Sequence, residues 1–367
     1  MARAPDETEL ERLGLYDPSA PDAEDRLRLL VRIFELGASV EEVVQASRLG
    51  GLGSLSLDLS IRPPGETYSL DDFARTSGLD PVLVGQMWLA LGLPASGAIP
   101  LEVTPDAAAA LRLLVGMVSM VGEDSALGVA RVIGSSAARL AESVTDALRI
   151  GIEVPSLEGG TTYSQVVEDY STSGRELLPM FLDAVNAVFR RHLVRVSYQM
   201  WSTDEDRAAV TRELTVGFAD MVGSTEAVRA GSVAELAYMV RRFEEQVWDV
   251  VTRAGGRVVK LIGDEAMFVA EEAAPACGMA LDLVEQSPYP VRVGLARGAV
   301  VGLFGDYYGE TVNLAARLVA VADPSSALAS DGVRRAAADA FRFEPEPVHT
   351  LKGFGEPVRT HRLHGRS

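Results

Sequence analysis

GGRVVKLIGDEAMFVA, residues 255–270, consists of two short apolar runs that meet at Gly263-Asp264. Glycine beside aspartate between two strand-like runs is a strong hairpin signal, because a two-residue turn there requires positive φ. The turn sets a carboxylate, Asp264, at a strand tip, with Lys260 four residues earlier along the hairpin. Working outward, VGFADMVGSTE (residues 216–226) is a hydrophobic strand that runs into Asp220, after which Gly223-Ser224-Thr225 opens a helix. A carboxylate at a strand end takes a cation, and the free N–H groups of a helix start face phosphates. Read singly, Asp220 could be a cap and Asp264 a turn residue. Brought together across neighbouring strands, two carboxylates plus substrate phosphates can hold two divalent ions for in-line displacement at phosphorus.

Two further stretches lie towards the C-terminus. FGDYYGETVNLAARLVAVA (304–322) has Asp306 before a tight Tyr-Tyr-Gly turn, then Asn313 and Arg317 at i,i+4, which puts an amide and a guanidinium on one helix face. TLKGFGEPV (350–358) sets Lys352 in a glycine-flanked hairpin. Of the 34 basic residues 32 are arginine, and the only lysines are Lys260 and Lys352. A genome rich in G and C explains the bias, yet both lysines fall in motifs, where a compact point charge differs from a planar fork. Strands are expected at 214–219, 257–262, 266–269 and 291–296, alternating with helices near 233–253, 273–285 and 311–321, so the second part of the chain is α/β or α+β.

The first part reads as helical. Leu27, Leu30, Val31, Ile33, Phe34 and Leu36 recur at helical spacing, Thr104-Pro105 opens a run to Val121, and a second helix follows at about 125–150. Residues 50–65, rich in Gly, Ser and Pro, read as a long loop. Residues 67–94 suggest two short helices around Gly78 in the manner of a helix-turn-helix. The second of them carries no Lys or Arg, which favours a packing unit over a reader of DNA. A long helix over 180–202 leads out of this half, with Phe181, Val185, Val188, His192 and Val196 on one stripe. The apolar helices at 104–150 read as core, with a small apolar ligand between them as the alternative.

Composition narrows the function. Hydrophobic residues make up 47% of the 367, enough for packed cores, and a formal charge of −18 excludes a basic footprint for nucleic acid or anionic membrane. One cysteine, Cys277, excludes an internal disulfide. No apolar run approaches the roughly 20 residues of a membrane span, and the charged start is unlike a signal peptide, so a cytoplasmic protein is expected.

Together FADMVGST, KLIGD, GDYYGETVNLAARL and LKG resemble, in order and spacing, the catalytic domain of class III adenylyl cyclases. The resemblance implies a ferredoxin-like α+β catalytic domain at 212–367, preceded by an all-α regulatory domain at 1–179 and a linker helix and connector at 180–211. The first half is similar, more loosely, to the regulatory domain of actinobacterial, mycobacterial-type cyclases that respond to pH. By the same resemblance Asp220 and Asp264, with the backbone carbonyl of Met221, bind two Mg²⁺ or Mn²⁺. Gly223, Ser224 and Thr225 meet substrate phosphates, and Lys260 and Asp306 select adenine. Asn313 positions the ribose, while Arg317 and Lys352 stabilise phosphate charge. The substrate is then ATP and the product cyclic AMP. The enzyme is a homodimer with sites at its interface, the metal residues coming from one protomer and the purine and Asn/Arg pairs from the other. Two departures stand out: the 302–306 segment is shorter than in mammalian relatives, and Phe354 stands where a second lysine can occur.

The chemistry of the residues points the same way. Adenine offers an acceptor at N1 and a donor at N6, which suits a lysine and an aspartate; guanine reverses the pattern and would leave polar groups unpaired. Two other readings fit the residues less well. A diguanylate cyclase shares a metal-binding hairpin but has a doubled glycine and no use for NLAAR. A catalytically dead cyclase-fold module should have lost at least one of the six principal side chains, and all are here. Of four histidines, His192, His349, His361 and His364, none precedes position 192, so pH sensing by histidine in the first half rests on His192, with carboxylates as the alternative.

Overall fold

The computed structural model describes residues 5–94, 102–201, 211–223 and 233–366. The chain divides into two units, Met1–Thr203 and Asp204–Ser367. Among the described residues no helix is long and apolar enough to cross a membrane.

The first unit is helical: α1 (Glu7–Arg12), α2 (Ala23–Glu35), α3 (Val40–Arg48), α4 (Leu52–Ile61), α5 (Leu70–Thr76), α6 (Pro81–Ala90), α7 (Pro105–Val121), α8 (Glu123–Leu148), a π-helical turn at Arg149–Glu153, α9 (Val154–Glu158) and α10 (Tyr163–Trp201). Helix α4 corrects the expected loop at 50–65. Gly53 and Ser56 are not turn residues but part of the face of a close helix pair. Ser56 and Ser171 are fully buried with their hydroxyls 3.0 Å apart. A Cβ on Gly174 of α10 would come within 2.9 Å of Leu57. Helix α6 buries Val84, Met87 and Trp88 against Phe73, Leu111 and Leu114.

Helix α10 begins at Tyr163, well before the expected start near residue 180. Its first turn is capped from α2: Ser164 donates both its backbone N–H and its hydroxyl to the carboxylate of Asp25. Further along, Met180, Leu182, Val188, Phe189 and Leu193 are exposed within this chain. His192 is exposed too, beside Arg191 and Arg195 in a shallow groove, rather than enclosed in an apolar seam.

The second unit is built on one sheet of β1 (Thr211–Met221), β2 (Arg257–Ile262), β3 (Glu265–Ala270), β4 (Val291–Leu303), β5 (Asp306–Tyr308), β6 (Ser326–Ser330), β7 (Phe341–Pro345) and β8 (Thr360–Arg366). The strand order is β2-β3-β1-β4-β6-β8-β7, with β5 folded back on β4. With α11 (Val233–Arg253) and α12 (Ala273–Gln286), the first four strands form βαββαβ in the order 2-3-1-4, the ferredoxin-like arrangement.

Period-two alternation divides the sheet into two faces. Ala219, Met221, Val291, Val293 and Leu295 pack with Phe243 of α11 and Met279 of α12. Leu214, Val216, Phe218, Ala296 and Val300 face the other way, against Ala315 and Val319 of α13 (Glu310–Val321). Asp220 shares the parity of Phe218, and Arg292 that of Ala296. Both therefore belong to the α13 face.

Candidate active site

Asp220 stands next to last in β1, opposite Glu265 on β3 and Arg292 on β4. Strand register thus gathers three charged residues that are far apart in the chain. Arg292 donates from Nε at 2.7 Å to one oxygen of Asp220, and its second nitrogen lies 2.5 Å from the same oxygen. Asp264 follows Gly263 (φ +64°) in the β2–β3 turn, and its carbonyl accepts the N–H of Met221 at 3.0 Å. That bond ties the two aspartate-bearing segments together. The Met221 side chain is buried in the core, so its backbone alone is available to the site.

Burial pushes the Asp220 carboxyl above the usual carboxylate range. Arg292 opposes that shift and the charge of Asp264 adds to it. Glu265 is raised as well, by burial first and then by Asp220 and Asp264. Desolvated carboxylates crowded in this way favour a cation close by. In this structure a guanidinium occupies that role on Asp220. The donor set and its partner therefore fit a cation site, formed by two aspartates and backbone oxygens. Among the described residues no group of three or more His, Cys, Asp or Glu is gathered to hold a metal on its own.

Lys260 and Asp306 meet at 2.6 Å, Nζ to Oδ2, and the other oxygen of Asp306 accepts the N–H of Tyr307 at 2.8 Å. Asn313 and Arg317 lie on the exposed side of α13, and neither side chain has a partner among the described residues. Lys352 is also exposed, in a turn held down by Leu351, which packs on Leu318 of the same helix. Gly223, at φ +87°, is the last described residue of the 216–226 motif. Ser224 and Thr225 lie outside the described residues.

The structure therefore brings Asp220 together with Asp264, and Lys260 together with Asp306. Asn313 and Arg317 are joined to neither pair. Two residues absent from the sequence reading stand at the site, Arg292 and Glu265. Arg292 left a trace, being the one charge in the apolar run 291–296. Glu265 follows Asp264 directly and reads as a hairpin residue until the register sets it opposite Asp220.

Comparison with known proteins follows the same lines. Residues 207–365 match the family described as the adenylate and guanylate cyclase catalytic domain. An uncharacterized protein of Mycobacterium tuberculosis strain H37Rv is 35% identical over 362 residues, covering 97% of this chain and 93% of that one. An adenylate cyclase of Streptomyces coelicolor is 36% identical over 268 residues, 71% of this chain and 69% of its own length. A pH-sensitive adenylate cyclase of Mycobacterium tuberculosis strain CDC 1551 is 25% identical over 358 residues, covering 92% and 88%. With its ferredoxin-like sheet and these relatives, the chain belongs to the class III adenylyl cyclase family.

Proposed function

We propose that the protein converts ATP into 3′,5′-cyclic AMP and pyrophosphate in the cytoplasm, in sites shared between two copies of the chain. The single observation that carries the reading is the division of the site residues into partnered and unpartnered sets. Asp220 and Asp264 adjoin, Lys260 and Asp306 adjoin, but Asn313 and Arg317 project from α13 with no partner among the described residues of the same chain. A homodimer in which α13 of one copy faces the aspartates of the other supplies what each chain lacks.

Asp220 and Asp264, with the Met221 carbonyl, would hold two divalent cations, Mg²⁺ or Mn²⁺, which when bound lower the cost of forming the 3′-oxyanion and screen the triphosphate. Arg292, which pairs with Asp220 and also donates to the Ala320 carbonyl, would stand beside the phosphates as a further positive charge. Gly223, Ser224 and Thr225 are the proposed contacts to the same phosphates. Lys260 donates to adenine N1 and Asp306 accepts from N6, so a guanine would leave both unsatisfied. Asn313 orients the ribose so that its 3′-oxygen lies in line with the α-phosphorus. Arg317, with Lys352 docked on its helix, stabilises the charge that develops as pyrophosphate leaves. The helical first unit regulates the catalytic unit, with pH as the signal and His192 as the histidine that registers it.

The test is direct: purified protein, ATP and Mn²⁺, with cyclic AMP read by chromatography. Wild type should form it, and Asp220→Ala or Asp264→Ala should lower the rate by at least about 10³-fold, the scale of several kcal/mol of lost barrier stabilisation. Either variant keeping a tenth of wild-type activity would contradict the two-metal reading.

A further inference from the structure

The β4–β5 turn holds its conformation against the preference of its own sequence. Pairing of Leu303 with Asp306 leaves Phe304 and Gly305 as a two-residue turn, at φ +50° and +83°. Such turns suit Asn, Asp or Gly at both positions. A phenylalanine at positive φ is strained and persists only where surrounding structure imposes it.

Arg257 on β2 supplies that external hold. Its guanidinium donates to the Gly305 carbonyl at 2.5 Å and lies over the Tyr307 ring, 5.0 Å from the centroid. One side chain therefore grips both residues that flank Asp306. Asp306 is meanwhile fixed by the Tyr307 N–H on one oxygen and by Lys260 on the other.

Arg257 and Lys260 stand three apart, so in a regular strand they would face opposite sides of the sheet. They do not, because β2 carries an extra residue. Val258 pairs with Phe268 and Lys260 with Met267, leaving Val259 as a bulge. Val258 and Leu261 accordingly pack on one face and Val259 on the other. The bulge re-aims Lys260 to the side on which Arg257 already points.

We infer that Arg257 is a positioning residue for nucleobase selection. It fixes the strained turn so that the Asp306 carboxylate and the Lys260 ammonium meet the base at a spacing that admits adenine and rejects guanine. This inference rests on the adenine-selecting role given above to Lys260 and Asp306. Arg257 itself does not touch the base. A planar guanidinium donates at its edge while stacking with its face, and lysine can do only one of these at a time.

The experiment measures kcat and KM with ATP and with GTP for wild type, Arg257→Ala, Arg257→Lys and Lys260→Ala. In Arg257→Ala the preference for ATP over GTP, as a ratio of kcat/KM, should fall by about tenfold. The loss should come mainly from a higher KM for ATP, with kcat within about threefold. Arg257→Lys should lie between Arg257→Ala and wild type. A role confined to stability would lower both nucleotides alike and leave their ratio unchanged. If Lys260→Ala loses discrimination while Arg257→Ala keeps it within about twofold, the positioning role is overturned and the adenine pair stands. A wild type that does not prefer ATP, or a preference that Lys260→Ala leaves intact, overturns the adenine-pair reading and this inference with it.

Discussion

Gly294 lies in β4 where α13 crosses the sheet, and replacing it with alanine should disable the enzyme without touching any site residue. A Cβ built there would lie 2.3 Å from the Val319 nitrogen and 2.5 Å from the Ala315 carbonyl oxygen. Both are backbone atoms of α13, and neither can rotate aside. Ordinary contact begins near 3.4 Å, so the helix has to retreat from the strand by about 1 Å. Overpacking of this kind costs about 1–3 kcal/mol. The kinetic cost is larger, since Asn313 and Arg317 ride on α13 and a 1 Å misplacement of positioning groups is worth ~10²-fold in rate. Gly298→Ala is the matched control. Its Cβ would meet the Thr311 hydroxyl at 2.8 Å, a side-chain atom that can move aside at the cost of its hydrogen bond to the Ala299 carbonyl. Cyclase turnover at saturating ATP and Mn²⁺, alongside thermal unfolding by circular dichroism, reads both effects. Gly294→Ala should lose several degrees of Tm and about 10²-fold in kcat, with Gly298→Ala clearly milder. Equal Tm and a kcat within threefold of wild type for Gly294→Ala would refute the close strand–helix contact on which the placement of Asn313 and Arg317 depends.

Asp220→Asn should be dead yet more heat-stable than wild type at pH 7. Burial raises the Asp220 carboxyl in the folded protein above its value in the unfolded chain, so folding disfavours its charged form relative to the unfolded state. Its contribution to stability is present below the unfolded value of about 4 and is lost as pH rises through the raised folded value. A neutral amide escapes that loss, and the advantage should vanish when Tm is compared at about pH 3.5. A lower Tm than wild type at pH 7 would show that the Arg292 pair outweighs the burial of the charge. His192→Gln should flatten the pH–activity profile of the full chain. An unaltered profile would shift the pH response to carboxylates or to the catalytic step.

What the sequence made legible is what local chemistry dictates. The Gly263-Asp264 turn, the strand running into Asp220 and the i,i+4 spacing of Asn313 and Arg317 are properties of neighbouring residues, and they stand where the motifs implied. What it concealed depends on partners distant in the chain. Helix α4 reads as a loop because serine and glycine are turn formers, and only Ser171 and Tyr163 of α10 reveal them as a packing face. The start of α10 is hidden because its cap, Asp25, lies 139 residues away. Arg292 joins the site through strand register, and Arg257 through a bulge that no propensity announces. His192 sits on a helix stripe whose periodicity looks buried, yet within one chain that stripe is open.

The central claim is that each active site draws on two chains, and mixing two inactive variants tests it most directly. Asp220→Ala removes a proposed cation ligand, and Arg317→Ala removes the α13 guanidinium proposed to stabilise phosphate charge. In a mixed dimer one site collects both lesions and the other collects neither. Random subunit exchange makes half of the dimers mixed, so cyclic AMP formation should recover to about a quarter of the wild-type rate. A mixture that stays as inactive as its components, after exchange has been verified with differently tagged chains, would contradict shared sites and return the whole reaction to a single chain.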